Sequence, residues 1–304
     1  YRIAPDAPWK QGAVLALDNF NEQKYQLVQL KDGRWPKKDD IGIERLAAQF
    51  LNKNIGDTII FKIGDMEREL PISGKIRHPF VPPPMLLDLH NHTRYSPDSR
   101  VAPAELVAVA MRIGLQGIAI TDHNAVAGIR EAREAASEGF LVIPGTEIST
   151  KDGHILAYGV HEAIPRNLSA PETVERITAL GGVAVAAHPY RFWSGLGEEA
   201  LGRARFSAFE TCNGRTLKWG NDRAKVKAKA IRVGETGGSD SHLLDEVARA
   251  VTSINSGVTT VEEVLQILGR GNTSAQGFDR GAAGTARYVT KAVSEWMLRG
   301  MKRI

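Results

Sequence analysis

From Met85 onward, short apolar runs alternate with amphipathic stretches, and this rhythm limits the possible folds more than any other feature of the chain. Leu86–Leu89, Gly117–Thr121, Leu141–Ile143, Ile155–Val160, Val183–Ala187, Phe206–Glu210 and Ile231–Val233 read as strands. Helices are predicted between them. One starts at Pro103 with Leu106, Val107, Ala110 and Met111 on one stripe, and Gly114 ends it. Others are predicted at Ile129–Ala136, Pro171–Leu180, Thr216–Ala230, Leu244–Ile254 and Val261–Leu268. Such alternation predicts an α/β fold with a mostly parallel sheet, open or closed into a barrel.

The rhythm is absent before Pro82-Pro83-Pro84, a stiff extended connector. There the pattern predicts strands at Ala13–Leu17, Tyr25–Leu30, Thr58–Ile63 and Glu69–Ile72, and one helix at Gly42–Leu51. The chain is therefore read as a small β-rich module, 1–84, followed by a larger α/β domain, 85–304. The module contributes only His78 and no cluster of ligating residues, so no chemistry is assigned to it.

Chemistry-bearing residues fall where strands have just ended. Asp88, His90 and His92 follow one strand, and Asp122 and His123 another. Glu147, His188, and the pair Asp240 and His242 follow three more. In parallel α/β architectures the carboxyl ends of the strands share one face, so residues distant in sequence meet there. A single His-x-His such as His90-Asn91-His92 is more often a surface or core pair than a chelate, and a lone Glu147 reads as a solvated strand end. The grouping changes the balance. Six of the eight histidines, His90, His92, His123, His154, His188 and His242, lie at or near strand ends on this common face; His78 and His161 do not. A metal site follows. Histidine and carboxylate donors without cysteine suit Zn, Mn or Fe rather than Ca or Mg. More than six donors imply two or three ions, with Glu147 able to bridge. The single cysteine, Cys212, permits no internal disulfide.

The stretches Asp88-Leu-His-Asn-His-Thr-Arg-Tyr-Ser-Pro-Asp98, Ile120-Thr-Asp-His-Asn124, Pro144-Gly-Thr-Glu-Ile-Ser149, His154-Ile-Leu-Ala-Tyr-Gly159, Ala187-His-Pro-Tyr-Arg191 and Gly237-Gly-Ser-Asp-Ser-His242 resemble the PHP (polymerase and histidinol phosphatase) family of metal-dependent phosphoesterases. The resemblance implies a distorted seven-stranded β/α barrel with a trinuclear site. By position, His90, His92, Glu147 and Asp240 would hold one metal. Glu147 would bridge to a second, held by His154 and His188, and Asp98, His123 and His242 would hold a third. The loop at Ser96-Pro97-Asp98-Ser99 departs from the Ser-Asp-Gly of many members. In the module, 41–84 resembles extracytoplasmic domains of ABC-transporter permease subunits, so the join before Met85 reads as a fusion.

The expected reaction is hydrolysis of a phosphomonoester or nucleotide phosphodiester through a metal-activated hydroxide. His188 and Asp240 are placed in the catalytic centre with Arg191, which follows the His188 ligand and is a candidate phosphate clamp. Arg215 is a second candidate; a surface cation at a helix start is the equal alternative. The substrate is open between a phosphorylated small molecule, a nucleotide and the end of a short oligonucleotide, and the sequence is silent on oligomeric state. A competing reading is a metal-stabilised binding or regulatory module. From Arg270 onward seven cations face two carboxylates, and Val289, Val293, Trp296 and Met297 recur at helical spacing within 288–301. Such a basic tail could contact a polyanion or a membrane surface. The overall charge of +4 is too small to argue for nucleic acid by itself. No apolar run reaches membrane-spanning length, and a cytoplasmic location is expected.

Overall fold

A computed structural model describes residues 1–2, 5, 28–63, 65–77, 84–254, 257–277 and 297. The expected strand Ala13–Leu17, the first three residues of the expected strand Tyr25–Leu30 and, apart from Met297, the tail beyond Gly277 lie outside these residues. The chain falls into two compact units, Tyr1–Pro84 and Met85–Ile304.

In the first unit one long strand organises the rest. Strands β1 (Gln29–Gly33), β2 (Ile41–Glu44) and β3 (Thr58–Ile63) all pair with β4 (Met66–Arg77). A short helix, α1 (Arg45–Phe50), follows β2. The predicted helix Gly42–Leu51 is thus wrong in its first three residues. Ile43 is buried beside Ile59 and Ile72, and its strand pairs in parallel with β4 through Gly42 to Glu44. Tertiary pairing overrode the helical spacing there.

The second unit carries the site. Its elements are β5 (Met85–Asp88), α2 (Pro103–Ile113), β6 (Gly117–Ile120), α3 (Gly128–Ala135), β7 (Leu141–Ser149), β8 (His154–Tyr158), α4 (Ala170–Ala179), β9 (Val183–Ala186), α5 (Gly197–Arg203), β10 (Ala208–Asn213), α6 (Lys218–Ile231), β11 (Gly234–Gly238), β12 (Ala250–Ile254), α7 (Val261–Gly269) and β13 (Ser274–Gly277). Local chemistry explains the helix limits. Pro103 opens α2, and Gly114 closes it at φ +93°, a conformation that costs glycine little. Ser169 and Glu172 form a capping box for α4.

The nine strands form one sheet in the order β11-β10-β9-β8-β7-β6-β5-β12-β13. It curls until β11 meets β5 and β12, giving a nearly closed barrel. At this seam the Thr252 hydroxyl accepts from the Gly237 N–H at 2.8 Å and donates to its carbonyl at 2.9 Å. The approach is possible because Gly237 and Gly238 lack side chains: a Cβ on Gly237 would lie 2.4 Å from the Val251 oxygen, and one on Gly238 2.3 Å from the His90 Cβ. One core cluster joins Leu87, Ala119, Ile143, Leu156, Val185, Ala208 and Ile254, one from each of seven strands, with Val264 and Leu268 of α7 packed on it. The cluster thus runs across seven strands on one side of the curled sheet.

Two strands depart from the parallel expectation. β8 runs antiparallel to β7 and β9, and β12 antiparallel to β5 and β13. The predicted helix Leu244–Ile254 is also corrected, to a single 3-10 turn at Leu244–Glu246 and the fully buried strand β12. Its β-branched Val251, Thr252 and Ile254 suit a strand whose two sides are both covered. The predicted strand Ile231–Val233 begins later, because α6 runs to Ile231 and ends on Arg232 at φ +59°.

Candidate metal centre

Every candidate ligand arises from the same rim of the barrel. His90 and His92 follow β5, His123 follows β6, His188 follows β9, and Asp240 and His242 follow β11. Glu147 lies inside β7, which runs on to Ser149, and is bridged to His123. His154 is the first residue of β8. Because β8 is antiparallel, its start lies level with the carboxyl ends of its neighbours, and the imidazole joins the group. His188 (φ +28°) and Asp240 (φ +54°) hold unfavourable backbone conformations, a form of strain that clusters at functional sites.

The donor atoms converge. His90 Nε2 is 3.1 Å from His92 Nε2, and each lies 3.2 Å from Glu147 Oε2. Asp240 Oδ1 lies 3.3 Å from His92 Nε2 and 3.8 Å from His90 Nε2. An ion held tetrahedrally by nitrogen and oxygen at about 2.0–2.1 Å needs donors roughly 3.3 Å apart. The donors of His90, His92 and Asp240 therefore fit a divalent metal, with Glu147 Oε2 beside both imidazoles. The other Glu147 oxygen, Oε1, lies 2.8 Å from both His154 Nδ1 and His188 Nε2. Asp98 Oδ2 is 2.7 Å from His242 Nε2 and 3.6 Å from His123 Nε2. Asp98 Oδ1 and His188 Nδ1 are buried with no hydrogen-bond partner.

A second layer of groups aims these rings. His90 Nδ1 lies 2.8 Å from Glu210 Oε1, His92 Nδ1 3.2 Å from Ser96 Oγ, and His242 Nδ1 2.9 Å from the Asp240 carbonyl. With the Nδ1 proton donated to these oxygens, each Nε2 lone pair is left facing the cluster, the arrangement usual for metal-binding imidazoles. Glu210 also accepts the His188 backbone N–H at 2.8 Å and an Asn213 Nδ2–H at 3.0 Å. The sequence reading missed Glu210 and Asn213, although both lie in β10 at the same rim and the strand-end rule would have found them. Two carboxylates counted among the strand-end residues do other work. Asp88 accepts from the Ser239 and Ala248 amides, and Asp122 from the amide and hydroxyl of Thr93. A Glu210→Gln variant is expected to keep its fold and bind divalent metal about 10–100-fold more weakly. Metal titration followed by circular dichroism tests this, and unchanged affinity would remove Glu210 from the site.

The cluster calls for positive charge. Burial alone would lower His90, but Glu210, Asp240 and Glu147 outweigh it and hold the ring well above its ordinary value. His92 is likewise raised to about 9 against its burial, by Asp240 and Glu147. Burial pushes His188 down to about 3, helped by Arg191, and His123 down to about 4. Despite burial, Glu147 and Asp240 stay well below the carboxylate range, Glu147 through the imidazoles and Asp240 through Arg191 and His90. Asp88, lacking such partners, is pushed by burial up to about 6. Protons or metal ions can meet the demand, and the donor spacings suit metal.

Arg191 donates to Asp240 Oδ2, to Asn213 Oδ1 at 2.6 Å and to Thr216 Oγ1 at 3.3 Å. Its guanidinium is therefore fixed beside the cluster, with its side chain 20% exposed. Arg215 is buried, and its charge bears on His242, which excludes the surface-cation alternative.

Residues 88–201 match the model of the PHP domain, and 218–273 that of the PHP-associated region. The chain is 41% identical over 117 residues to an uncharacterized protein of Methanocaldococcus jannaschii, covering 35% of this chain and 68% of that one. It is 41% identical over 103 residues to the 5'-3' exoribonuclease Rnm of Salmonella typhimurium, covering 30% of this chain and 34% of the enzyme. The chain thus spans about a third of that enzyme's length. In fold it is similar to a two-domain protein of Bacteroides vulgatus described as containing a predicted PHP-like metal-dependent phosphoesterase. The TM-score is 0.56 at 19% identity, over 68% of this chain and 69% of the other.

Proposed function

This chain belongs to the PHP family of metal-dependent phosphoesterases, and from that premise we propose that it hydrolyses a phosphomonoester or a nucleotide phosphodiester at the rim cluster. The observation that carries the reading is the convergence of His90, His92 and Asp240 on one point, with Glu147 Oε2 3.2 Å from both imidazoles and Arg191 held against Asp240. In this proposal those four residues hold one ion. Glu147 also serves a second ion with His154 and His188, and Asp98, His123 and His242 serve a third. When bound, such ions supply Lewis acidity that activates water and offsets charge on the phosphoryl oxygens.

The remaining work belongs to the chain itself. His90, His92 and His188 are fully buried, so their donors keep fixed positions and need little reorganisation during reaction. Asn213 and Thr216 orient the Arg191 guanidinium, whose planar donors match a phosphate's oxygens. Arg191→Lys keeps the charge and loses that fork, and kcat/KM is expected to fall about a hundredfold. A rate equal to the parent's would take the phosphate contact away from Arg191.

The decisive test loads metal-depleted protein with Mn, Zn or Fe. The loaded protein is then offered a phosphomonoester, a mononucleotide and a short oligonucleotide. Release of phosphate or nucleotide that depends on both metal and Asp240 supports the reading; no release across the panel overturns it. The similarity to an exoribonuclease favours the nucleotide arm. The competing tail-mediated reading falls on residues outside those described. Among the described residues no helix is long and apolar enough to cross a membrane.

A further inference from the structure

Grouped exposed aromatic rings mark binding surfaces. Among the described residues the exposed Phe, Tyr and Trp side chains are Tyr95 (40%), Phe192 (77%), Trp193 (59%) and Trp219 (52%). All four lie within four residues of the candidate site. Tyr95 falls between His92 and Asp98, Phe192 and Trp193 directly follow Arg191, and Trp219 comes four residues after Arg215.

The Phe192–Trp193 pair is tied most closely to the site. The Arg191 amide donates to the His188 carbonyl at 2.8 Å, and the Gly195 amide to the Arg191 carbonyl at 2.9 Å. The Ser194 carbonyl accepts the His154 N–H at 3.0 Å. The turn bearing the two rings is thus fastened at one end to Arg191 and at the other to His154. These are also the most open side chains of the cluster, at 20% and 13% exposed, against 0% for His90, His92 and His188. The turn therefore lies beside the two least buried side chains of the cluster. The two rings meet edge to face, with centroids 4.5 Å apart.

We infer that Phe192 and Trp193 form a stacking platform for an aromatic base, and that the substrate is a nucleotide or the end of a single-stranded oligonucleotide. This rests on the phosphoesterase reading above. A sugar phosphate or polyol phosphate would engage Arg191 and leave both rings in water. A nucleotide joins a planar heterocycle to the phosphoryl group and uses both features. Stacking on a ring face accepts every base, so tolerance of base identity is expected.

Two short oligonucleotides, identical except that one is abasic at its terminal position, separate the possibilities. The metal-loaded parent should prefer the complete strand in kcat/KM by about tenfold or more. In a Phe192→Ala/Trp193→Ala variant that ratio should fall to near one, and Phe192→Tyr/Trp193→Phe should keep it. A dinucleotide bearing 2-aminopurine reports stacking without turnover. Its fluorescence should be quenched by the parent and not by the double alanine variant, at equal metal content and equal circular dichroism. An unchanged ratio or unchanged quenching in the double alanine variant overturns the platform. If the parent cleaves neither strand and releases nothing from the phosphomonoester or the mononucleotide, the phosphoesterase reading fails, and the quenching experiment still decides the platform.

Discussion

A Glu147→Gln variant should lose most of its bound divalent metal and about a thousandfold or more in kcat/KM. Glu147 is the residue on which the cluster turns. Its Oε2 faces His90, His92 and His123 at 3.2, 3.2 and 3.3 Å, and its Oε1 faces His154 and His188 at 2.8 Å each. Glutamine fills the same space. It removes one negative charge and turns one acceptor oxygen into an amide donor, so one of the two faces loses its ligand atom outright. Remaining nitrogens from five rings cannot substitute for that oxygen, because each ring is already aimed at its own position. Elemental analysis per chain and steady-state kinetics measure the two effects together. A variant retaining parental metal and parental rate would show that the carboxylate is structural and that the proposed ligand set is wrong.

The second large effect is expected at the barrel seam. Gly238→Ala should destabilise the second unit by about 3 kcal/mol and weaken metal binding at the same time. The new Cβ would lie 2.3 Å from the His90 Cβ, 2.7 Å from the His90 nitrogen and 3.0 Å from Glu210 Oε1. Two of these atoms belong to a wholly buried residue in the seam, and the third ends a side chain that is itself buried and held by His90 Nδ1 at 2.8 Å. Relief requires β11 to move away from the segment after β5. Asp240 lies two residues beyond Gly238, and its N–H donates to the His90 carbonyl at 2.7 Å. Opening the seam therefore displaces two proposed ligands of the same ion. Gly202→Ala is the control. It lies in α5, a Cβ there meets nothing within 4 Å, and a neutral or slightly stabilising change is expected. Denaturant unfolding of both variants decides the matter. Equal stability of Gly238→Ala and the parent would mean that the seam is looser than its contacts indicate.

What the sequence alone determined was local. The α2 helix follows from the Pro103 start, the buried stripe of Leu106, Val107 and Ala110, and the Gly114 stop, all within reach of one helix. The alternation with β6, β7 and β9 follows from apolar runs whose neighbours in sequence decide their form. The position of histidines and carboxylates after those runs was legible for the same reason, since a strand's end is a local event. Tertiary structure decided the rest. Whether a strand-end carboxylate faces the cluster, as Asp240 does, or anchors a loop, as Asp88 and Asp122 do, depends on which amides lie opposite. Glu210 gained its role only when β10 came beside β9 and brought it to His90 and His188. Residues 244–254 have helical spacing yet form β12, because pairing with β5 and β13 satisfies their backbone in a fully buried place. Propensity is worth tenths of a kcal/mol per residue, whereas an unpaired buried backbone group costs more, so the sheet prevailed.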